Sequence, residues 1–69
     1  MVDKQKLKAQ IVLTGKTMTE VAEALDINVV TLYRKMNGVS DFYRRELQIL
    51  CDILDIEDPK EVFFDREIT

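Results

Sequence analysis

Apolar residues recur along this chain at the three- and four-residue spacings of a helix, most clearly in its second half. From Tyr43 to Leu54 the residues Leu47, Leu50, Cys51 and Leu54 share one face and Ile49 and Ile53 widen it, which predicts a helix buried on more than one side. If Tyr43 is its N-cap, Phe42 and Leu47 form a hydrophobic staple and Glu46 falls at the third helical position, although Tyr is a poor capping residue. A first helix is expected from about Asp3 to Leu13, with Leu7 and Ile11 on one face, lysines on the other and a stop at Thr14-Gly15. Thr17-Met18-Thr19-Glu20 is a capping box opening a second helix, whose stripe is Val21, Ala22 and Leu25. Asp26-Ile27-Asn28 interrupts the pattern. Asn28 then caps a third helix from Val29 to about Asn37, with Gly38 as the stop. Asp58-Pro59-Lys60-Glu61 repeats the start signal, so a last short helix would carry Val62, Phe63 and Phe64 back to the core. The tail Asp65 to Thr69 frays or adds a short strand. The fold class predicted is all-α, a compact four- to five-helix bundle.

At 69 residues the chain holds a single domain, residues 1–69 with a core over about 3–64, and its 46% apolar content is enough to fold. No apolar run approaches the roughly 20 residues of a membrane span and the N-terminus leads into no apolar stretch, so neither a span nor a signal peptide is expected and the compartment is cytoplasmic. One cysteine and no histidine exclude zinc domains and histidine-dependent catalysis. The carboxylates lie at helix ends and loops with no paired arrangement and no glycine-rich phosphate loop beside them, so the chain is not read as an enzyme. No catalytic residue, cofactor or metal is expected.

The formal charge of −3 hides a division along the chain. Up to Arg45 there are eight basic and five acidic residues, a net +3; from Glu46 onward there are two basic and eight acidic, a net −6. Such a molecule can turn one face to phosphate and the other away.

Two short helices joined by a three-residue turn, then a glycine, then another helix, have the spacing of a helix-turn-helix unit. The stretch TMTEVAEALDINVVTLYRKMNG, Thr17 to Gly38, followed by the helix ending in Leu54-Asp55-Ile56, resembles the Cro/CI-type (lambda-repressor-like) helix-turn-helix domains. The resemblance covers about residues 5 to 64. Within that family TLYRKMNGVSDFYRREL and the LCDILDIEDP end are similar to short Cro-like regulators of Gram-positive phages and prophages. Ala22 stands where the family packs a small residue between its central helices, and Leu32 where it needs an aliphatic core residue. Asp26 departs from the family, which mostly has Gly there; Asp tolerates the left-handed region better than most side chains.

The resemblance implies a sequence-specific DNA-binding regulator whose helix Val29 to Asn37 enters the major groove of an operator. Asn28, Val29, Val30, Tyr33 and Arg34 would face outward, Arg34 toward guanine, Asn28 toward adenine or a phosphate, and Val29 or Val30 toward a thymine methyl. Thr17 and Thr19 would hold a phosphate at the second helix start, and Ser40, Arg44 and Arg45 would form a second phosphate clamp. The partners implied are double-stranded operator DNA, a second copy in a weak homodimer, and a companion repressor protein, with no membrane and no small-molecule ligand.

Each residue also has a plainer reading. One of Val29 and Val30 belongs to the core, with Val30 the more exposed. Tyr33 could cover the turn below it, Arg44 and Arg45 could offset the acids that follow, and Lys35 divides evenly between solvated charge and DNA contact. Cys51 and Met36 read as core filler. The rival function is a protein-binding antirepressor or antitoxin-like module whose acidic half holds another regulator. The homodimer is expected to form through the chain's end, around Val62, Phe63, Phe64 and Ile68, and to tighten with salt because six acids from Asp55 to Glu67 meet there.

Overall fold

A computed structural model describes residues 2–63, apart from the side chains of Glu61 and Phe63. Five helices follow one another: α1 Lys4–Leu13, α2 Met18–Leu25, α3 Val29–Met36, α4 Arg44–Ile53 and α5 Pro59–Phe63. Among the described residues there is no strand, and the fold is the all-α bundle that the periodicity predicts.

Local chemistry sets where each helix starts. Asp3 Oδ1 accepts the Lys6 N–H at 3.1 Å, Asn28 Oδ1 accepts that of Thr31 at 3.1 Å, and Asp58 Oδ1 accepts that of Lys60 at 3.2 Å. The first four helices stop in a common way. Past the last turn an N–H bonds back to the carbonyl five residues earlier, Lys16 to Ile11, Ile27 to Ala22, Val39 to Arg34 and Ile56 to Cys51. This closure needs a left-handed residue in between, supplied by Gly15, Asp26, Gly38 and Asp55, whose φ angles run from 57° to 83°. Asp26 therefore takes the conformation for which glycine is the usual choice.

Four expected boundaries move inward by one residue. Asp3 is the N-cap of α1, Asn37 is the C-cap of α3, and Tyr43 and Leu54 are the two caps of α4. Cap residues lack helical dihedrals on one side, which sequence periodicity does not register.

The core gathers Leu7 and Ile11 of α1, Val21, Ala22 and Leu25 of α2, Leu32 and Met36 of α3, Leu50 of α4, Leu54 and Val62. Helix α2 packs on both α3 and α4, while α1 packs on α5. The α1 side is closed by two hydrogen bonds, Asp3 N–H to the Val62 carbonyl at 2.9 Å and the Gln10 side-chain amide to the Leu54 carbonyl at 2.7 Å. Leu47 and Cys51, expected at the centre of the core, are half-buried instead, and Leu50 and Leu54 fill that place. Burial pushes the Cys51 thiol up, with the Asp52 charge adding to it, so its thiolate is disfavoured. The expected roles of Phe63, Phe64, Ile68 and the tail fall outside the described residues. Among the described residues no helix is long and apolar enough to cross a membrane.

Candidate nucleic-acid interface

Helix α3 exists because Asn28 caps it and because Leu32 and Met36, four apart, bury one face. That phase leaves Val30, Tyr33 and Arg34 outside, with Val30 55% exposed. Of the two valines at its start, Val29 is half-buried against the core and Val30 faces out. Asn28 is exposed, and its Oδ1 accepts the Thr31 N–H. Oδ1 keeps a second lone pair and the side-chain NH₂ is left as a donor, so the cap bond is compatible with either a phosphate or an adenine edge.

The start of α2 carries a complete capping box. Thr17 Oγ1 accepts the Glu20 N–H at 3.1 Å and Glu20 Oε1 accepts the Thr17 N–H at 2.8 Å. Two of the amides expected to hold a phosphate are therefore engaged, and a carboxylate already stands at the positive end of the helix. Thr17 and Thr19 remain exposed, so each keeps a hydroxyl to offer a phosphate.

Beyond α3 the chain folds back on the last turn of that helix. Val39 N–H and Ser40 N–H both reach the Arg34 carbonyl, at 2.9 and 3.4 Å, so Ser40 is held beside the backbone of Arg34. Val39 occupies the position that Ile27 and Ile56 fill at the ends of α2 and α4. Those isoleucines pack on the core, whereas Val39 is 73% exposed. Arg44 and Arg45 are exposed at the first two positions of α4. Positive charge there opposes the helix macrodipole, so helix stability does not account for them.

A buried ion pair joins these parts. Lys35 Nζ donates to Glu46 Oε1 at 2.6 Å, with the two residues 6% and 1% exposed. The same oxygen accepts the Tyr43 N–H at 2.9 Å, and the Lys35 ammonium lies 4.2 Å from the centre of the Tyr43 ring and 6.0 Å from that of Phe42. One carboxylate oxygen thus pins the last turn of α3, which carries Arg34, to the first turn of α4, which carries Arg44 and Arg45. Lys35 is neither a solvated charge nor a DNA contact. The signal for this was present in the spacing, since Leu32, Lys35 and Met36 stand three and four apart, as do Glu46 and Leu50. Only the approach of α3 to α4 shows that the two charges meet.

Among the described residues no cluster of three or more Cys, Asp or Glu side chains could hold a metal ion. Comparison with family models, with curated proteins and with solved structures gives no match for this chain.

Proposed function

We propose that this chain is a DNA-binding transcriptional regulator of the Cro/CI helix-turn-helix kind, reading a short operator with the exposed face of α3. The observation that carries this reading is the corner between α3 and α4. Arg34 is exposed on one side of it and Arg44 and Arg45 on the other, and the buried Lys35–Glu46 pair fixes one relative to the other. In this reading Arg34 addresses a guanine edge, Val30 a thymine methyl, and Asn28, Thr17, Thr19, Ser40, Arg44 and Arg45 the phosphates that set the register. Val29 supports Val30 from beneath, and Tyr33 lies over the groove edge. The acidic second half points away from the duplex and limits nonspecific binding. A two-fold operator would hold two copies with their α3 helices one helical turn, roughly 34 Å, apart.

The test is a binding titration on DNA taken from beside the protein's own gene, repeated over a range of salt. The expected outcome is a specific complex whose log K falls linearly with log salt, at roughly −0.9 per phosphate neutralised. The exposed Val30, Val39 and Tyr43 on the same corner favour the rival, a module that holds a companion regulator protein. Absence of DNA binding at low salt, with tight binding to such a regulator, would establish that rival instead.

A further inference from the structure

The most exposed large apolar side chain among the described residues is far from this corner, on α1. Leu13 is 78% exposed and Val12 73%. At about 100° per residue, Ala9, Val12 and Leu13 stand at positions i, i+3 and i+4 and form one outward seam. Ala9 is exposed as well. Helix α1 thus has two apolar stripes, Leu7 and Ile11 against the core and this second one, which stays exposed among the described residues.

The two edges of the seam carry opposite charge. On the side where Gln10 reaches across to Leu54, two shallow clefts run along α1, floored by Ala9, Leu13, Ile53, Ile56 and Val62. Their far rim is Asp52, Asp55, Glu57 and Asp58, all exposed, and one lysine in each cleft, Lys16 nearer Leu13 and Lys6 nearer Val62, offsets half of that charge. Beyond Val12, on the opposite flank of α1, lie Lys4 and Lys8, also exposed. Across the patch the order is acidic rim, apolar seam, basic flank.

A surface ordered in this way is complementary to itself. A two-fold rotation about an axis running along the seam lays α1 parallel on α1 and brings the basic flank of each copy over the acidic rim of the other at the same height along the helix. A nucleic acid or an anionic lipid surface would be repelled by the rim. We propose that the α1 seam is the contact between two copies of this chain, closed by Ala9, Val12 and Leu13 and oriented by Lys4 and Lys8 against Asp55, Glu57 and Asp58. The sign of its salt dependence is opposite to that expected of pairing through the acidic chain end. Charges of opposite sign face each other here, so added salt loosens the dimer.

Sedimentation equilibrium of the full chain without DNA tests this independently of the DNA-binding reading. The wild-type chain should associate at low ionic strength, and the dimer should weaken about tenfold at high salt, the sum expected of several exposed charge pairs. Leu13→Glu should stay monomeric while keeping the helical circular dichroism of the wild type, since Leu13 supports no core contact. Lys8→Glu and Glu57→Lys should each be monomeric alone and associate when mixed, because in the mixed pair both contacts between position 8 of one copy and position 57 of the other again join opposite charges. A wild-type chain that stays monomeric at every concentration would overturn the proposal. So would a dimer that tightens with salt or survives Leu13→Glu, which would move the contact to the chain end, or mixed variants that remain apart.

Discussion

Helices α2 and α4 both place a glutamate at the third helical position and both reach back with it to the N–H of the cap, at 2.8 and 2.9 Å. In α2 the cap is Thr17, whose hydroxyl returns the hydrogen bond, and the glutamate that faces the helix dipole is exposed. In α4 the cap is Tyr43, whose side chain makes no capping bond, the glutamate is buried, and two arginines stand where the dipole disfavours them. The first start is local and serves its own helix. The second gives up part of that local gain, turns its aromatic ring to a lysine ammonium from α3, and uses the same carboxylate to fix a neighbouring helix. An unfavourable helix start tied by a buried ion pair to the helix with the exposed Arg34 is the pattern expected where position, rather than helix stability, is being specified.

The sharpest way to break this comparison is at the glutamates. Glu46→Ala should destabilise the fold by about 3–5 kcal/mol, because it leaves the Lys35 ammonium buried without a partner. Urea denaturation measures it, and a loss below about 1 kcal/mol would mean that Lys35 reaches water in solution. The double variant Lys35→Met/Glu46→Leu should recover most of the stability, since apolar residues of similar volume can replace a buried pair.

Next in size is the effect across the corner. Arg34→Ala should cost roughly 1–3 kcal/mol on the specific DNA site and much less on random DNA. Equal losses on both would remove Arg34 from base reading and leave it as a phosphate contact.

At the other helix start, Thr17→Ala should cost about 1 kcal/mol of stability, the ordinary value of an N-cap, with the salt dependence of DNA binding unchanged. The smallest stability effect belongs to Arg44→Ala, expected to leave the fold as stable as before or firmer by a few tenths of a kcal/mol, because an unfavourable charge leaves the helix start. Its DNA binding should nonetheless weaken alike on all sequences, with the salt slope shallower by about 0.9. A clear loss of stability would show that Arg44 serves the helix after all.

Much of this molecule was legible in advance because much of it is local. Thr17 and Glu20, Asn28, Asp58 with Pro59, Gly15 and Gly38 each act within a few residues, so the helix starts and stops could be placed from short stretches of chain. Periodicity likewise assigned Leu7, Ile11, Val21, Ala22, Leu25, Leu32 and Leu50 to the interior. Asp55 escaped notice as a helix terminator, since nothing in its type marks it out from the acids around it.

The tertiary structure decided what depends on two helices meeting. The sequence allowed Lys35 to be a free charge, and the approach of α3 to α4 made it half of a buried pair. The sequence left Val29 and Val30 nearly equivalent, and the packing of α3 on α2 drew one inward and left the other in solvent. The second stripe of α1 is invisible in its own periodicity, because Ala9, Val12 and Leu13 become an unpartnered face only once Leu7 and Ile11 have taken the core. Caps, turns and amphipathic phase are written in contiguous residues and can be read there. Which charges are desolvated, and which apolar faces stay open, is fixed by contacts between residues far apart in the chain, and the folded structure alone supplies those contacts.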